Sequence, residues 1–332
     1  MTPLARVRAV LAGRPTDRPA FALWRHFPGE DHDADRLAAA ELAFLAEYGY
    51  DLVKLNPPGM YFVEDRGVRW RYYGDHRTAP EVLAVPVHRP GDWAVLPPLE
   101  ADGGALAVRR AAIAKVAAAV GETHPVLETV FTPLTVAAKL AGDRIVSLAE
   151  EGPDALEAAL ARFVEEIAAY VRLALAAGAR GLFLANQMLQ RAAFPPRLYA
   201  RFGAPFDAAL VERIRPQVEI LALHVHGGDV DFDAAARLPA DLLSWHCRST
   251  PPSLTAARER TTTPFLAGLA RETLLRGSPA DAAAQARATL AEAGGRGVIV
   301  APDCTVSPMA PPANLAAVRD AMRGGASSGG TR

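Results

Sequence analysis

Short apolar runs alternate along the chain with longer stretches in which apolar residues recur every three or four positions. That alternation marks parallel strands joined by crossover helices. Residues 3–12 read as a short helix closed by Gly13, residues 19–24 as strand one and residues 35–48 as an amphipathic helix. Strand two is predicted at 51–55, an Ala-rich helix at 102–120 and strand three at 125–130. Helical pieces fill 133–176, strand four follows at 181–185, and a helix lies around 196–214. Strands five, six and seven are expected at 219–223, 240–244 and 264–267. A helix at 279–293, strand eight at 297–300 and a last helix near 312–322 complete the series.

Eight strands, nearly all followed by helices, predict an α/β protein of the closed (β/α)8 TIM-barrel type. An open doubly wound sheet is the alternative, but it usually has fewer strands. The barrel is expected as a single domain over residues 1–323. The stretch 60–100, rich in Pro, Tyr, Trp and Arg, breaks the pattern and reads as an insertion after strand two covering one barrel mouth. The Gly/Ser-rich end, 324–332, reads as a disordered tail. No repeat of fixed period is visible, and neither G-x-G-x-x-G nor G-x-x-x-x-G-K-[ST] occurs, so no nucleotide phosphate loop is signalled.

Composition narrows the function classes. With 36 Lys+Arg against 37 Asp+Glu, the chain lacks the basic excess that a nucleic-acid or membrane-surface partner demands. Two cysteines in 332 residues cannot build a disulfide framework, though either could be a reactive thiol or a metal ligand. The start shows no signal-peptide pattern, and no apolar run approaches the ~18 residues of a membrane helix, so a cytoplasmic protein with a small-molecule substrate is expected. The only lysines are Lys54, Lys115 and Lys139.

In a barrel of this kind the active site lies at the C-terminal ends of the strands. Strand one is followed by Trp24, Arg25 and His26, and strand two by Asn56. Strand three carries Glu128 and Thr129, and strand four ends in Asn186 and Gln187. His224 and His226 follow strand five, His246 and Cys247 strand six, and Asp303 and Cys304 strand eight. His224 and His226, two apart on an extended segment, point to the same face. Imidazole and thiolate are preferred ligands of zinc, and two histidines with one cysteine leave an open coordination position, the pattern of a catalytic site. The plainer alternative for each histidine is a hydrogen-bonded pocket residue. Cys247 is expected to pack or to line the pocket. Arg25 could form a surface ion pair, but its position favours anion binding. Asn56, Glu128, Asn186 and Gln187 are candidates for substrate binding, with satisfaction of loop backbone as the alternative for Asn186 and Gln187.

Several segments together resemble the uroporphyrinogen decarboxylase superfamily, which includes zinc-dependent methyltransferases that demethylate corrinoid proteins. They are RVRAVLAGRPTDRPAF (6–21), FTPLTVAAKLAG (131–142), LHVHG (223–227), LAGLARETLLRGSPAD (266–281) and GVIVAPDCTVSPMAPPANLAAV (297–318). The resemblance implies a (β/α)8 barrel. The decarboxylase branch carries R-Q-A-G-R after strand one, where this chain has Arg25-His26-Phe27-Pro28-Gly29. It also carries an aspartate after strand two, where this chain has Asn56-Pro57-Pro58, and a tyrosine whose place falls near Lys139.

The methyltransferase branch is the closer match. Its zinc ligands fall on His224, His226 and Cys304, with histidine where that branch has the cysteine of H-x-C. The exchange makes the site one charge unit more positive and would weaken a bound thiolate as nucleophile. The first expectation is therefore a zinc-dependent, methyltransferase-like enzyme. It would move a methyl group between a corrinoid, carried by a partner protein, or another donor, and a thiol-type acceptor. Arg25 and His246 would then orient the acceptor. The second is a metal-independent decarboxylase or lyase of a small or tetrapyrrole acid, with Arg25 on the carboxylate and His224 or His246 as general acid. The third is a non-catalytic ligand-binding barrel.

Overall fold

The computed structural model describes residues 1–75 and 80–324. Its strands are β1 (Val53–Leu55), β2 (Arg69–Arg71), β3 (Glu81–Ala84), β4 (Val126–Phe131), β5 (Gly181–Asn186), β6 (Ile220–Val225), β7 (Leu242–Trp245), β8 (Phe265–Leu269) and β9 (Val298–Pro302). Seven of them form one curled parallel sheet in the order β1-β4-β5-β6-β7-β8-β9. Every residue of these seven is buried. That is why they read as continuous apolar runs: helices cover the outer face while side chains fill the inner one.

The position expected for strand one carries isolated bridges rather than a strand, so the expected eight-stranded sheet is seen as seven strands. Phe21 bridges Val300, and Arg25 bridges Val306, in parallel sense. On the other side, Asp51 N–H donates to the Phe21 carbonyl at 2.8 Å. A regular ladder is interrupted because the Phe21 N–H donates to the Asp51 carboxylate at 3.0 Å instead of to a strand carbonyl. Pro19 has no N–H to offer, and its carbonyl is taken by Arg18. Asp51 is fully buried and also receives Arg6 and Arg18, so a charged clamp joins residues 18–21 to the start of β1.

Helix boundaries follow local chemistry. Thr2 caps Pro3–Leu11, Asp33 caps Ala34–Tyr48, and Ser278 with Asp281 forms a capping box before Pro279–Glu292. The helical stretch after β4 breaks into Pro133–Ala141, Ile145–Glu151 and Pro153–Ala176. The first break falls at Gly142, whose φ of 58° is readily adopted only by glycine, and the last follows Gly152 and opens on Pro153.

Within 60–100, β2 and β3 form an antiparallel hairpin. The buried Arg66 anchors this region by bonding Glu166 at 3.0 Å and the Pro97 carbonyl at 3.1 Å. The Tyr72 hydroxyl accepts the Gly29 N–H at 2.5 Å and donates to Asp31, tying the hairpin to the loop after residues 20–25. The last helix, Pro312–Arg323, ends on Gly324 in the left-handed conformation, and the rest of the expected tail, 325–332, lies outside the described residues. No helix among the described residues is long and apolar enough to cross a membrane.

Candidate metal centre and its cavity

β6 runs one pleat further than the sequence pattern suggests, so His224 sits inside the strand and His226 just beyond it. Their spacing of two turns both rings into one cavity, as the strand period requires. β7 ends at Trp245 and delivers His246; β9 ends at Pro302 and delivers Cys304. The four side chains converge: one ligand-capable atom from each lies within 4.8 Å of all the others. Cys304 Sγ and His226 Nδ1 are 3.7 Å apart. Ligands held at ~2.0–2.3 Å from a shared tetrahedral centre lie ~3.3–3.8 Å from one another, so that pair already has the required spacing.

The neighbours of the cluster are compatible with a bound cation. Ser244 Oγ lies 3.0 Å from His224 Nδ1 and fixes that ring, the kind of outer support that metal-binding histidines use. Phe183 stacks on the same ring, with centroids 5.0 Å apart. His246 Nε2 is buried and has no hydrogen-bond partner, an orphan that a cation would satisfy. Burial, reinforced by the neighbouring imidazoles, pushes His224 well below the ordinary histidine range; burial also lowers His226, and takes His246 to about 4. The rings are therefore neutral at pH 7 and keep a lone pair for ligation. Burial raises the Cys304 thiol, so binding a cation there would release a proton. The donor set of three imidazoles and one thiol suits zinc.

His224, His226 and Cys304 form one wall of a cavity of about 250 Å³, whose other walls include Trp24, His26, Lys54, Asn56, Gln187 and Arg271. Lys54 and Arg271 are its charged side chains, and no carboxylate lines it among the described residues. Burial lowers the Lys54 amine to about 7 and the His26 imidazole to about 4. A wider chamber of about 430 Å³ lies against it, sharing His26, Gly59, Arg271 and Pro308 and adding Asp31, Tyr72 and Pro80 from the loop and hairpin region.

The structure brings together His224, His226 and Cys304, which follow two separate strand ends in the sequence, and adds His246, expected from the sequence to orient the acceptor. Asn56 and Gln187 line the cavity. Arg25, Glu128 and Asn186 do not. Trp24 and His26 face the cavity, so Arg25 between them faces away; its Nε donates to the His26 carbonyl at 3.2 Å, and its guanidinium lies 5.2 Å from the Phe27 ring centre. The cation facing the cavity near these strand ends is Arg271, the first residue of the helix Arg271–Arg276. Glu128 points outward from β4 into a buried ion pair with Arg109 at 2.7 Å. Asn186 is saturated: its amide donates to Tyr199 and Asp207, and its carbonyl receives the Met188 and Leu189 N–H groups, both at 2.9 Å. Cys247 is buried outside the cavity lining, and burial pushes its thiol up to about 12. Sequence reasoning passed over Lys54 and Arg271. A lysine set inside the apolar run DLVKL was the available signal for the first; nothing local marks the second.

The chain matches the model of the uroporphyrinogen decarboxylase (URO-D) family over residues 2–324. No curated protein matches its sequence. Among solved structures it resembles a methyltransferase from Methanosarcina mazei, with a TM-score of 0.85 at 22% identity, covering 98% of this chain and 99% of that one. It is also similar to a B12-independent methionine synthase from Shewanella sp. W3-18-1, with a TM-score of 0.58 at 12% identity over 92% of this chain and 95% of that one. A putative vitamin-B12 independent methionine synthase from Listeria monocytogenes follows, with a TM-score of 0.54 at 12% identity and the same coverage. At these identities the likenesses speak for the shared architecture. The family match spans nearly the whole chain, and the protein belongs to the uroporphyrinogen decarboxylase (URO-D) family.

Proposed function

We propose that the protein is a metal-dependent, methyltransferase-like enzyme of this family. The observation that carries the reading is the convergence of His224, His226, His246 and Cys304 within 4.8 Å, with His224, His226 and Cys304 on the wall of a cavity. These four side chains would hold zinc, with Ser244 orienting His224. A zinc ion bound there would act as a Lewis acid and favour the thiolate form of a thiol acceptor. The chain's own groups do the rest: Trp24, Phe131 and Phe183 keep water from the cavity, while Asn56 and Gln187 offer amide hydrogen bonds to the acceptor. Lys54 and Arg271 supply positive charge for an anionic group of the acceptor. Having four potential protein ligands, the site keeps an open position only if one of them yields it, and His246, whose ring has no second partner to hold it, is the side chain freest to do so. The methyl donor would be a corrinoid on a partner protein or a smaller methyl compound reaching the cavity through the wider chamber. The similarity to a solved methyltransferase supports this reading.

Metal analysis of protein purified without chelator tests it. The wild type is expected to carry about one zinc per chain, and Cys304→Ala and His226→Ala to lose most of it. A metal-free wild type, or a full metal complement in Cys304→Ala, overturns the reading.

A second reading is decarboxylation, or a related lyase reaction, of a small acid without metal. It is favoured by the pairing of Lys54 and Arg271 with no carboxylate in the cavity. Such an activity would survive chelation. A whole tetrapyrrole is poorly matched to the inner cavity, whose 250 Å³ lies below the ~300–1,000 Å³ common for drug-sized ligands.

A further inference from the structure

Lys54 stands at the centre of β1, 3% exposed, with its side chain in the cavity. Its ammonium lies 4.3 Å from the Phe183 ring centre and 5.5 Å from that of Trp24, and it donates a hydrogen bond to Asn56 Oδ1. No carboxylate among the lining residues balances its charge, and Arg271, which lines both the inner cavity and the wider chamber, adds a second positive charge. Asn56 Nδ2 is buried without any hydrogen-bond partner. The buried carboxyl groups of Glu41 and Glu128 act on Lys54 from a distance, but neither forms an ion pair with it. A buried ammonium without an ion-pair partner and an orphaned amide donor are both unfavourable, and natural structures rarely keep either without a use. The two lie on one short segment of β1 and its following loop. Phe183, against which the ammonium rests, is also the ring stacked on His224, so a small molecule in contact with Lys54 is one ring away from the metal cluster.

We propose that Lys54 Nζ and Asn56 Nδ2, with Arg271 at the opening, form a carboxylate subsite, and that the ligand of the inner cavity is a small carboxylic acid. The two oxygens of a carboxylate match one ammonium and one amide donor. The far end of the acid reaches the histidine–cysteine cluster; that end alone rests on the function proposed above. The cavity volume of about 250 Å³ suits a small acid.

Propionate and propionamide, nearly equal in shape but differing in charge, are the probes. Calorimetric titration of each into the protein as purified, wild type and Lys54→Met, with metal content measured in both, provides the test. Propionate is expected to bind the wild type at least ~10-fold more tightly than propionamide. Lys54→Met is expected to abolish that preference while leaving metal content unchanged. Equal binding of the two probes, no propionate binding to the wild type at millimolar concentration, or an unchanged preference in Lys54→Met overturns the subsite. Lys54→Gln serves the same comparison if the methionine variant does not fold. Metal-free protein that still shows Lys54-dependent propionate binding sinks the metal reading and keeps the subsite; metal-loaded protein without Lys54 dependence does the reverse.

Discussion

Lys54→Met is expected to raise the free energy of unfolding by roughly 1–4 kcal/mol near pH 6, the range seen when buried ionic groups give way to well-packed apolar side chains. The lysine sits between Trp24 and Phe183 with a single amide oxygen as hydrogen-bond acceptor, and burial lowers its amine from the ordinary 10.5 to about 7. At 1.36 kcal/mol per pKa unit, that depression sets an upper bound of roughly 5 kcal/mol on the cost of keeping Lys54 in place at low pH. The sign of the pH dependence follows from linkage. Above pH 10.5 the amine is neutral in both folded and unfolded chains and nothing is lost. As the pH falls from there, the unfolded chain takes up a proton that the folded protein resists, so the native state loses stability until the folded group itself titrates near 7. The advantage of Lys54→Met is therefore largest below pH 7 and fades toward pH 10.5. Methionine fits the two rings, since its thioether packs favourably against aromatic edges. Urea denaturation of both proteins at pH 6 and pH 10 measures the effect. Equal stability at pH 6 would show that Lys54 is compensated in the folded protein. Stability surrendered at one residue is a common cost of a functional site, and the same substitution that strengthens the fold is the one expected to remove carboxylate binding.

Arg109→Ala is expected to move stability the other way, by about 3–5 kcal/mol. Arg109 is 1% exposed and Glu128 fully buried. Two hydrogen bonds join them, at 3.2 and 2.7 Å, and Tyr170 donates a third to the carboxylate at 2.9 Å. Arg109 Nη1 also donates to the Asn56 carbonyl at 3.3 Å. Removing the guanidinium leaves Glu128 charged, buried and held only by a tyrosine, and frees the backbone of a residue in the cavity wall. The double variant Arg109→Met/Glu128→Leu removes both charges and is expected to recover most of the loss, because the penalty comes from the unpaired partner and not from the absence of the pair. Thermal and chemical denaturation of the three proteins separate these contributions. A loss below about 1 kcal/mol in Arg109→Ala would mean that the pair is solvated in the folded state.

Glu128 also illustrates why some site residues were legible and others were not. Its segment read as a strand with polar residues at its end, and the strand is there. Which of Glu128 and Thr129 faces the cavity could not be read, because in a parallel strand covered on both faces the apolar residues do not alternate with polar ones. The same ambiguity separates His26 from Arg25 and Gln187 from Asn186: in each pair, neighbours on the chain point to opposite faces, one into the cavity and one into the helical layer. His224 and His226 escaped it, since two like residues two positions apart must share a face whatever the register.

By itself, then, the chain's pattern determined the order of strands and helices, the H-x-H pair and the place of Cys304 after the last strand, because apolar period, turn residues and ligand spacing are local properties. Only the tertiary structure decided that His246 completes the cluster, that Lys54 and Arg271 supply the cavity's charge in place of Arg25, and that Glu128 and Asn186 serve the surrounding scaffold. Those outcomes depend on which way each pleat turns when the sheet curls and on which residues distant in sequence it then brings face to face.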